Sequence, residues 1–403
     1  MSTAAPDRTR RRMTAVLREE ETVTPLELFF DLVFVLALTQ CTALMAADPT
    51  WEGLAKGLLV LGVTWWSWVG YAWLTSVVDP EEGAVRLVIF AAMGAFLVAG
   101  LCVPKAFDDA AFIFACAYGV VRAAHIALFL LASRDNPGLR TSTIGLAIST
   151  AISVGLIFAA SATHGTLQGA LWALAISIDT AGPFLFGAEG WQLVPQHFAE
   201  RHGLIIIIAL GESIVAIGAG VTGSIDLGIV AAAVLGTAVA AALWWLYFDV
   251  VALVSSRRLA QAQPGRERNE LARDSFSYLH FPMVAGIVLV AVGMKKTLGH
   301  VEDPLKFVPT VALLGGTALY LLAHVAFRLR NIHTLNSRRL GVAIALLALS
   351  PLAYELKLPA LGTVAILAAA LVGLIAYETH RYGEARARIR NELRHEHQNG
   401  ETT

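Results

Sequence analysis

The feature that most constrains this chain is a succession of about twelve apolar runs, each close to the roughly 20 residues a helix needs to cross the hydrocarbon core of a bilayer. They fall near 26–46, 54–77, 85–104, 107–132, 142–162, 167–187, 203–222, 226–253, 277–296, 307–328, 340–354 and 359–378, bounded by charge, proline or glycine. Of the 403 residues, 56% are hydrophobic and 15% charged, at a mean hydropathy of +0.64, well outside the balance of a soluble fold. Within lipid every backbone polar group must be satisfied inside its own segment, so the runs predict an all-α integral membrane protein of about 12 transmembrane helices. The lipid bilayer is the first expected partner. The eleventh run is short, and its length also suits an interfacial or re-entrant segment.

Orientation follows from lysine and arginine, which short loops retain on the cytoplasmic side. With the N-terminus inside, the cytoplasmic segments hold 23 of the 30 basic residues, the outer loops hold six, and Arg122 lies inside the fourth run. This predicts a multi-pass plasma-membrane protein with both termini cytoplasmic. The N-terminus opens with Arg8, Arg10, Arg11 and Arg12, then Glu19, Glu20 and Glu21, and is expected to be a cytosolic arm rather than a signal peptide.

The second half of the chain can be laid on the first. Trp65-Trp66 answers Trp244-Trp245, Leu97-Val98-Ala99 answers Leu289-Val290-Ala291, Ala124-His125-Ile126-Ala127 answers Ala323-His324-Val325-Ala326, and Gly145-Leu146-Ala147-Ile148 answers Gly341-Val342-Ala343-Ile344. The matches keep their order, and an even number of spans per half gives both halves one orientation. The expected organisation is an arm at 1–23, two parallel six-helix repeats at 24–190 and 200–380, and a cytosolic charged tail at 381–403.

Ionisable side chains inside spans cost roughly 2.5–3.5 kcal/mol each at the helix centre, so each needs a partner, water or a purpose. Thr24 and Pro25 suit a helix start, and Glu27 and Asp31, four apart, share one face. Two carboxylates that close repel when both are ionised, a tension that a proton or a bound cation relieves. Glu212, in the seventh run, is expected near the bilayer midplane, beside small residues Ala209, Ser213, Ala216 and Gly220. Arg122 and His125 supply counter-charges, and Asp179 precedes the helix-loosening pair Gly182-Pro183. With His202, Asp249, His280 and His324, these residues are expected to line a polar cavity open to the cytoplasm, the four histidines being able to relay protons. His202 and His280 lie close enough to the interface to be solvated. The aromatic crowd Trp65, Trp66, Trp68, Tyr71 and Trp73 is expected to pack between the repeats.

Other chemistry is missing. There is no phosphate loop, no His-Glu-x-x-His and no Gly-x-Ser-x-Gly, and Cys41, Cys102 and Cys116 have neither zinc nor disulfide spacing. No cofactor, no metal and no nucleic-acid partner are expected; the basic stretches 257–273 and 381–394 read as topology signals and anionic-lipid contacts.

Glu27-Leu28-Phe29-Phe30-Asp31-Leu32-Val33-Phe34-Val35, followed by Arg201-His202-Gly203-Leu204 and Ala209-Leu210-Gly211-Glu212-Ser213-Ile214, resembles the bacterial low temperature requirement protein A family over about residues 20–385. The resemblance implies a multi-spanning membrane protein linked to growth in the cold. Phe29-Phe30-Asp31 is also similar to the Phe-Ser-Asp motif of six-span-repeat potassium-permeable channels, with Phe in place of Ser and Leu26 where that motif has an upstream Arg. That similarity implies ion permeation.

The reading that follows is a secondary transporter or ion channel, not an enzyme, moving a small ion or small-molecule solute past Asp31 and Glu212. The alternatives are an intramembrane enzyme acting on a lipid or lipid-linked substrate, and a membrane sensor or assembly protein. A homodimer is compatible with the sequence.

Overall fold

The computed structural model describes residues 22–81, 83–186, 190–221 and 224–400. All but the last two residues of the arm at 1–23, and the last three of the tail, lie outside the described residues.

Among the described residues the chain is helical and has no strand. The order is α1 Pro25–Ala47, α2 Trp51–Val77, α3 Gly83–Cys102, α4 Ala111–Ala132, α5 Pro137–Ser161, α6 Gly165–Leu185 and α7 Pro195–Gly220. It continues with α8 Leu227–Phe248, α9 Val251–Gln261, α10 Arg266–Leu271, α11 His280–Gly299, α12 Phe307–Ile332, α13 Ser337–Glu355 and α14 Ala360–Gly400. Among the described residues ten helical segments are long and apolar enough to cross a membrane. Two further helices, α6 with 21 residues and α13 with 19, have the length without the apolarity. Gln168 and Asp179 interrupt α6, and Arg338 and Arg339 head α13. The short eleventh run is thus a regular helix, started by the Asn336 side chain accepting from the Arg339 amide.

Helix starts follow local chemistry. Thr24 and Glu27 form a reciprocal capping box on α1, with Pro25 in the first turn. Thr50, Asn136 and Asp226 cap α2, α5 and α8 through one bond each, the side chain accepting from the amide of Gly53, Leu139 and Ile229. Between α10 and α11 the chain makes a π-helical turn, Ala272–Tyr278. Such a turn inserts residues into the helical ladder and re-aims those around it, here Ser275, Ser277 and His280.

Two helices sit at the centre. Every residue of α11 from Met283 to Met294 is buried, and α2 is buried along most of its length. Gly286 and Gly316 allow α11 and α12 to touch: a Cβ at Gly286 would stand 2.6 Å from the Gly316 carbonyl oxygen. The outer helices bury one stripe and expose Leu87, Leu101, Ile148, Leu174, Val234 and Ile344, the surface that lipid would cover. The indoles of Trp65 and Trp73 donate to Ser277, at its carbonyl (3.0 Å) and its hydroxyl (2.9 Å), so the aromatic face of α2 meets the π-turn of the second half.

Candidate functional site

The helix start that Thr24, Pro25 and Glu27 dictate places Glu27 and Asp31 against α7. Arg201 bridges them: Nη2 donates to Asp31 Oδ1 at 2.6 Å, and Nη1 to Glu27 Oε1 at 3.2 Å and to Thr75 Oγ1 at 2.7 Å. Trp68 Nε1 donates to Asp31 Oδ1 at 2.8 Å. His197 links Ser76 Oγ, 3.0 Å from Nδ1, to Glu27 Oε1, 2.9 Å from Nε2. All of these groups are buried. Two acids four residues apart therefore share a guanidinium, which removes the repulsion expected from their spacing. Asp31 Oδ2 alone among their oxygens is buried without a hydrogen bond.

Arg201, and Arg339 described below, were counted with the cytoplasmic loops when charge set the orientation. Both are buried helix residues. The reason is at the sequence level: Pro195 starts α7 eight residues before the apolar run at 203–222, so a polar first third of the helix reads as loop.

Two more guanidinium–carboxylate pairs lie elsewhere in the bundle. Arg122 on α4 stands 2.9 Å from Asp179 Oδ2 on α6 and donates to Asp179 Oδ1 at 3.0 Å and to Thr150 Oγ1 at 2.7 Å. Thr150 donates to Asp179 Oδ1 at 3.0 Å. Arg339 on α13 donates to both oxygens of Glu378 on α14 at 3.0 Å, to the Leu246 carbonyl at 3.1 Å and to His324 Nδ1 at 3.0 Å. Glu378 follows Asp179 by 199 residues, the same separation as between His125 and His324.

The histidines divide. His125 packs against Tyr71 and Phe129, with ring centroids at 5.5 and 5.0 Å, and neither nitrogen has a hydrogen-bond partner within 3.5 Å among the described residues. His202, His280 and His324 form a second group. His202 Nδ1 donates to the Phe198 carbonyl (2.8 Å), and its ring lies 5.2 Å from that of His280. His280 Nδ1 donates to the Ser275 carbonyl (2.9 Å), which leaves Nε2 to accept from Tyr247 (2.8 Å). Tyr247 lies edge-on to His324 at 5.8 Å. Both His202 and His280 are fully buried, against the expectation that they are solvated, because the π-turn folds Phe276 over them. Among the described residues no hydrogen bond joins two of these histidines; Tyr247 donates to His280 and packs on His324, so the rings touch without forming a complete hydrogen-bonded relay.

Glu212 stands apart. It is buried on α7 and its Oε2 accepts from Thr39 Oγ1 of α1 at 2.5 Å. No guanidinium, ammonium or imidazole forms an ion pair with it among the described residues. The ten residues expected to share one cavity thus occupy five places: Glu27 and Asp31 on Arg201; Arg122 with Asp179, near His125; His202, His280 and His324; Glu212 on Thr39; and Asp249 at the C-terminal end of α8. Sequence reasoning missed Thr39, His197, Tyr247, Arg339 and Glu378. Glu378 had a signal, since extending the match of His125 to His324 lands on it from Asp179.

A space of about 10 Å³ lies beside Glu27 and Arg201, and two further cavities adjoin these groups. One, about 50 Å³, is lined by Trp66, Gly70, Trp73, Arg122, His125 and Trp191. The other, about 600 Å³, is bounded by α8, α9, α12, α13 and α14 and lined by Trp245, His324, Asn331, Arg338, Arg339 and Glu378, among others.

Residues 22–376 match the family model for the bacterial low temperature requirement A protein. An uncharacterized protein of Rhizobium meliloti (strain 1021) is 29% identical over 309 residues, covering 73% of this chain and 74% of that one. No solved structure matches.

Proposed function

From the premise that the chain belongs to the bacterial low temperature requirement A family of membrane proteins, we propose that it is a secondary transporter or ion channel in which Glu212 binds the passing proton or cation. The observation that carries this reading is the contrast among the buried acids. Glu27, Asp31, Asp179 and Glu378 are each held by an arginine, and a neutralised carboxylate has little left to offer a cation. Glu212 accepts from a hydroxyl, and the charge that acts on it, the Lys295 ammonium, forms no ion pair with it among the described residues, so of the buried acids it keeps most to gain from a proton or cation. The paired acids then become framework, and α1 and α7 become the helices beside the route.

In this reading the two halves, 24–190 and 200–380, are parallel six-helix repeats. Their contact patterns support it: α1–α3, α3–α4, α4–α5 and α2–α6 are answered by α7–α11, α11–α12, α12–α13 and α8–α14. The protein then lies in the plasma membrane with both termini cytoplasmic, and α1 packs on α7 where the halves meet.

Purified protein in liposomes tests the reading. Flux of protons, potassium, sodium or a small organic ion is expected, reduced about tenfold or more by Glu212→Gln, a loss of more than 1.4 kcal/mol at the binding step. Vesicles that stay tight to all these ions under imposed gradients, with correctly inserted protein, would overturn it.

A further inference from the structure

The 600 Å³ cavity is not needed for the ion reading, and its chemistry is different. We propose that it binds a phosphate ester carrying hydroxyl groups, either as the headgroup of an anionic phospholipid or as a soluble molecule. Its volume lies within the roughly 300–1,000 Å³ of small-molecule sites. Its position is the end of the bundle where the arginine-rich connections 257–273 and 328–339 emerge, the face on which basic pockets between helices meet anionic headgroups.

Charge comes first. Arg328, Arg338 and Arg381 line the cavity with exposed heads, and none is in an ion pair among the described residues. Arg338 lies over the Tyr377 ring at 5.2 Å and Arg381 over Tyr382 at 6.0 Å, while Arg328 Nε donates to Thr334 Oγ1 at 2.9 Å. Stacked guanidinium groups keep their planar N–H edges free, the geometry that pairs with phosphate oxygens. Arg339 is satisfied by Glu378, so the cavity keeps an excess of positive charge over its lining acids, Asp249 and Glu378.

Two buried polar atoms then say what else the ligand carries. His324 accepts from Arg339 at Nδ1, so its proton sits on Nε2, which is buried and has no acceptor. Asn331 donates through Nδ2 to Ser275 Oγ (3.0 Å) and the Phe327 carbonyl (2.7 Å), and its Oδ1 is buried with no donor. Both residues line the cavity. One unmatched donor and one unmatched acceptor, both just beneath the wall of a positively charged pocket, are matched by an oxyanion with a neighbouring hydroxyl once the side chains turn toward it. The apolar wall of Trp245, Val250, Val254 and Phe327 suits the carbon skeleton of such a ligand.

Binding to the full-length protein in detergent, at fixed low ionic strength, tests the site. Probes are phosphatidylglycerol, phosphatidylcholine and glycerol 3-phosphate, read by native mass spectrometry and by shift in melting temperature. Saturable preference for a glycerophosphate probe over phosphatidylcholine is expected. The double variant Arg338→Gln/Arg381→Gln should weaken it about tenfold, the order expected for losing a charge-assisted hydrogen bond. Asn331→Asp, nearly isosteric, should weaken it by placing a carboxylate against the ligand. The control Arg134→Gln/Arg140→Gln, also exposed, should leave it unchanged. Binding of the lipid alone identifies a headgroup, and competition by glycerol 3-phosphate identifies a soluble ester. Equal affinity in the wild type and the Arg338/Arg381 variant, or no preference for either glycerophosphate probe, overturns the proposal.

Discussion

The Arg122–Asp179 and Arg339–Glu378 pairs use the same chemistry in different surroundings. Around Arg122 and His125, the rings of Phe129, Trp73 and Trp191 close the space to about 50 Å³, and Trp191 stacks edge-on with both Trp73 and Phe129 at 5.5 and 5.0 Å. Around Arg339 and His324 the space is about 600 Å³, and the residue 199 positions after Phe129 is Arg328. Where aromatic rings fill the space, the pair is about 1% exposed; where arginines and asparagine stand, it borders a polar vestibule and is 4–7% exposed. A buried ion pair by itself therefore says little about function, and what surrounds it says more.

The difference is measurable as stability. Asp179→Ala leaves Arg122 with Thr150 and the Trp66 carbonyl and no countercharge in a buried site, and should destabilise by about 3–5 kcal/mol. Glu378→Ala leaves Arg339 beside an open cavity that water can enter, and a loss of about 1–2 kcal/mol is expected. Thermal unfolding in one detergent gives both; equal losses would break the comparison. Trp191→Ala removes the ring that closes the first cavity and, since Trp191 is half-buried, should cost about 2–3 kcal/mol. Gly70→Ala is smaller. Its Cβ would stand 2.9 Å from the His125 ring, an overpacking worth about 1 kcal/mol if the ring can shift. A loss well above that would show the first cavity to be more rigid than its volume suggests.

Much of the architecture could be read in the sequence because a bilayer leaves few alternatives. The helical class came from unbroken apolar length, and the α1 start from Thr24, Pro25 and Glu27. The site was harder. Arg201 and Arg339 lie in polar helix ends that look like loops, and Thr39 and Tyr247 are ordinary residues until another helix brings an acid or an imidazole to them. Glu27 and Asp31 looked like a bare acidic pair because their shared partner is 170 residues or more away in the chain. The π-turn at Ala272–Tyr278, which buries His202 and His280, has no periodicity to announce it.

The smallest stability change is expected at the residue with the largest proposed role. Glu212→Gln keeps a side-chain oxygen able to accept from Thr39, removes no ion pair and, like a buried carboxyl that holds its proton, buries no charge, so a change within about 0.5 kcal/mol is expected. Flux and melting temperature measured on the same Glu212→Gln preparation test the central claim most directly. The account predicts an almost unchanged melting temperature with flux reduced about tenfold. Wild-type flux in a stably folded Glu212→Gln protein would contradict it.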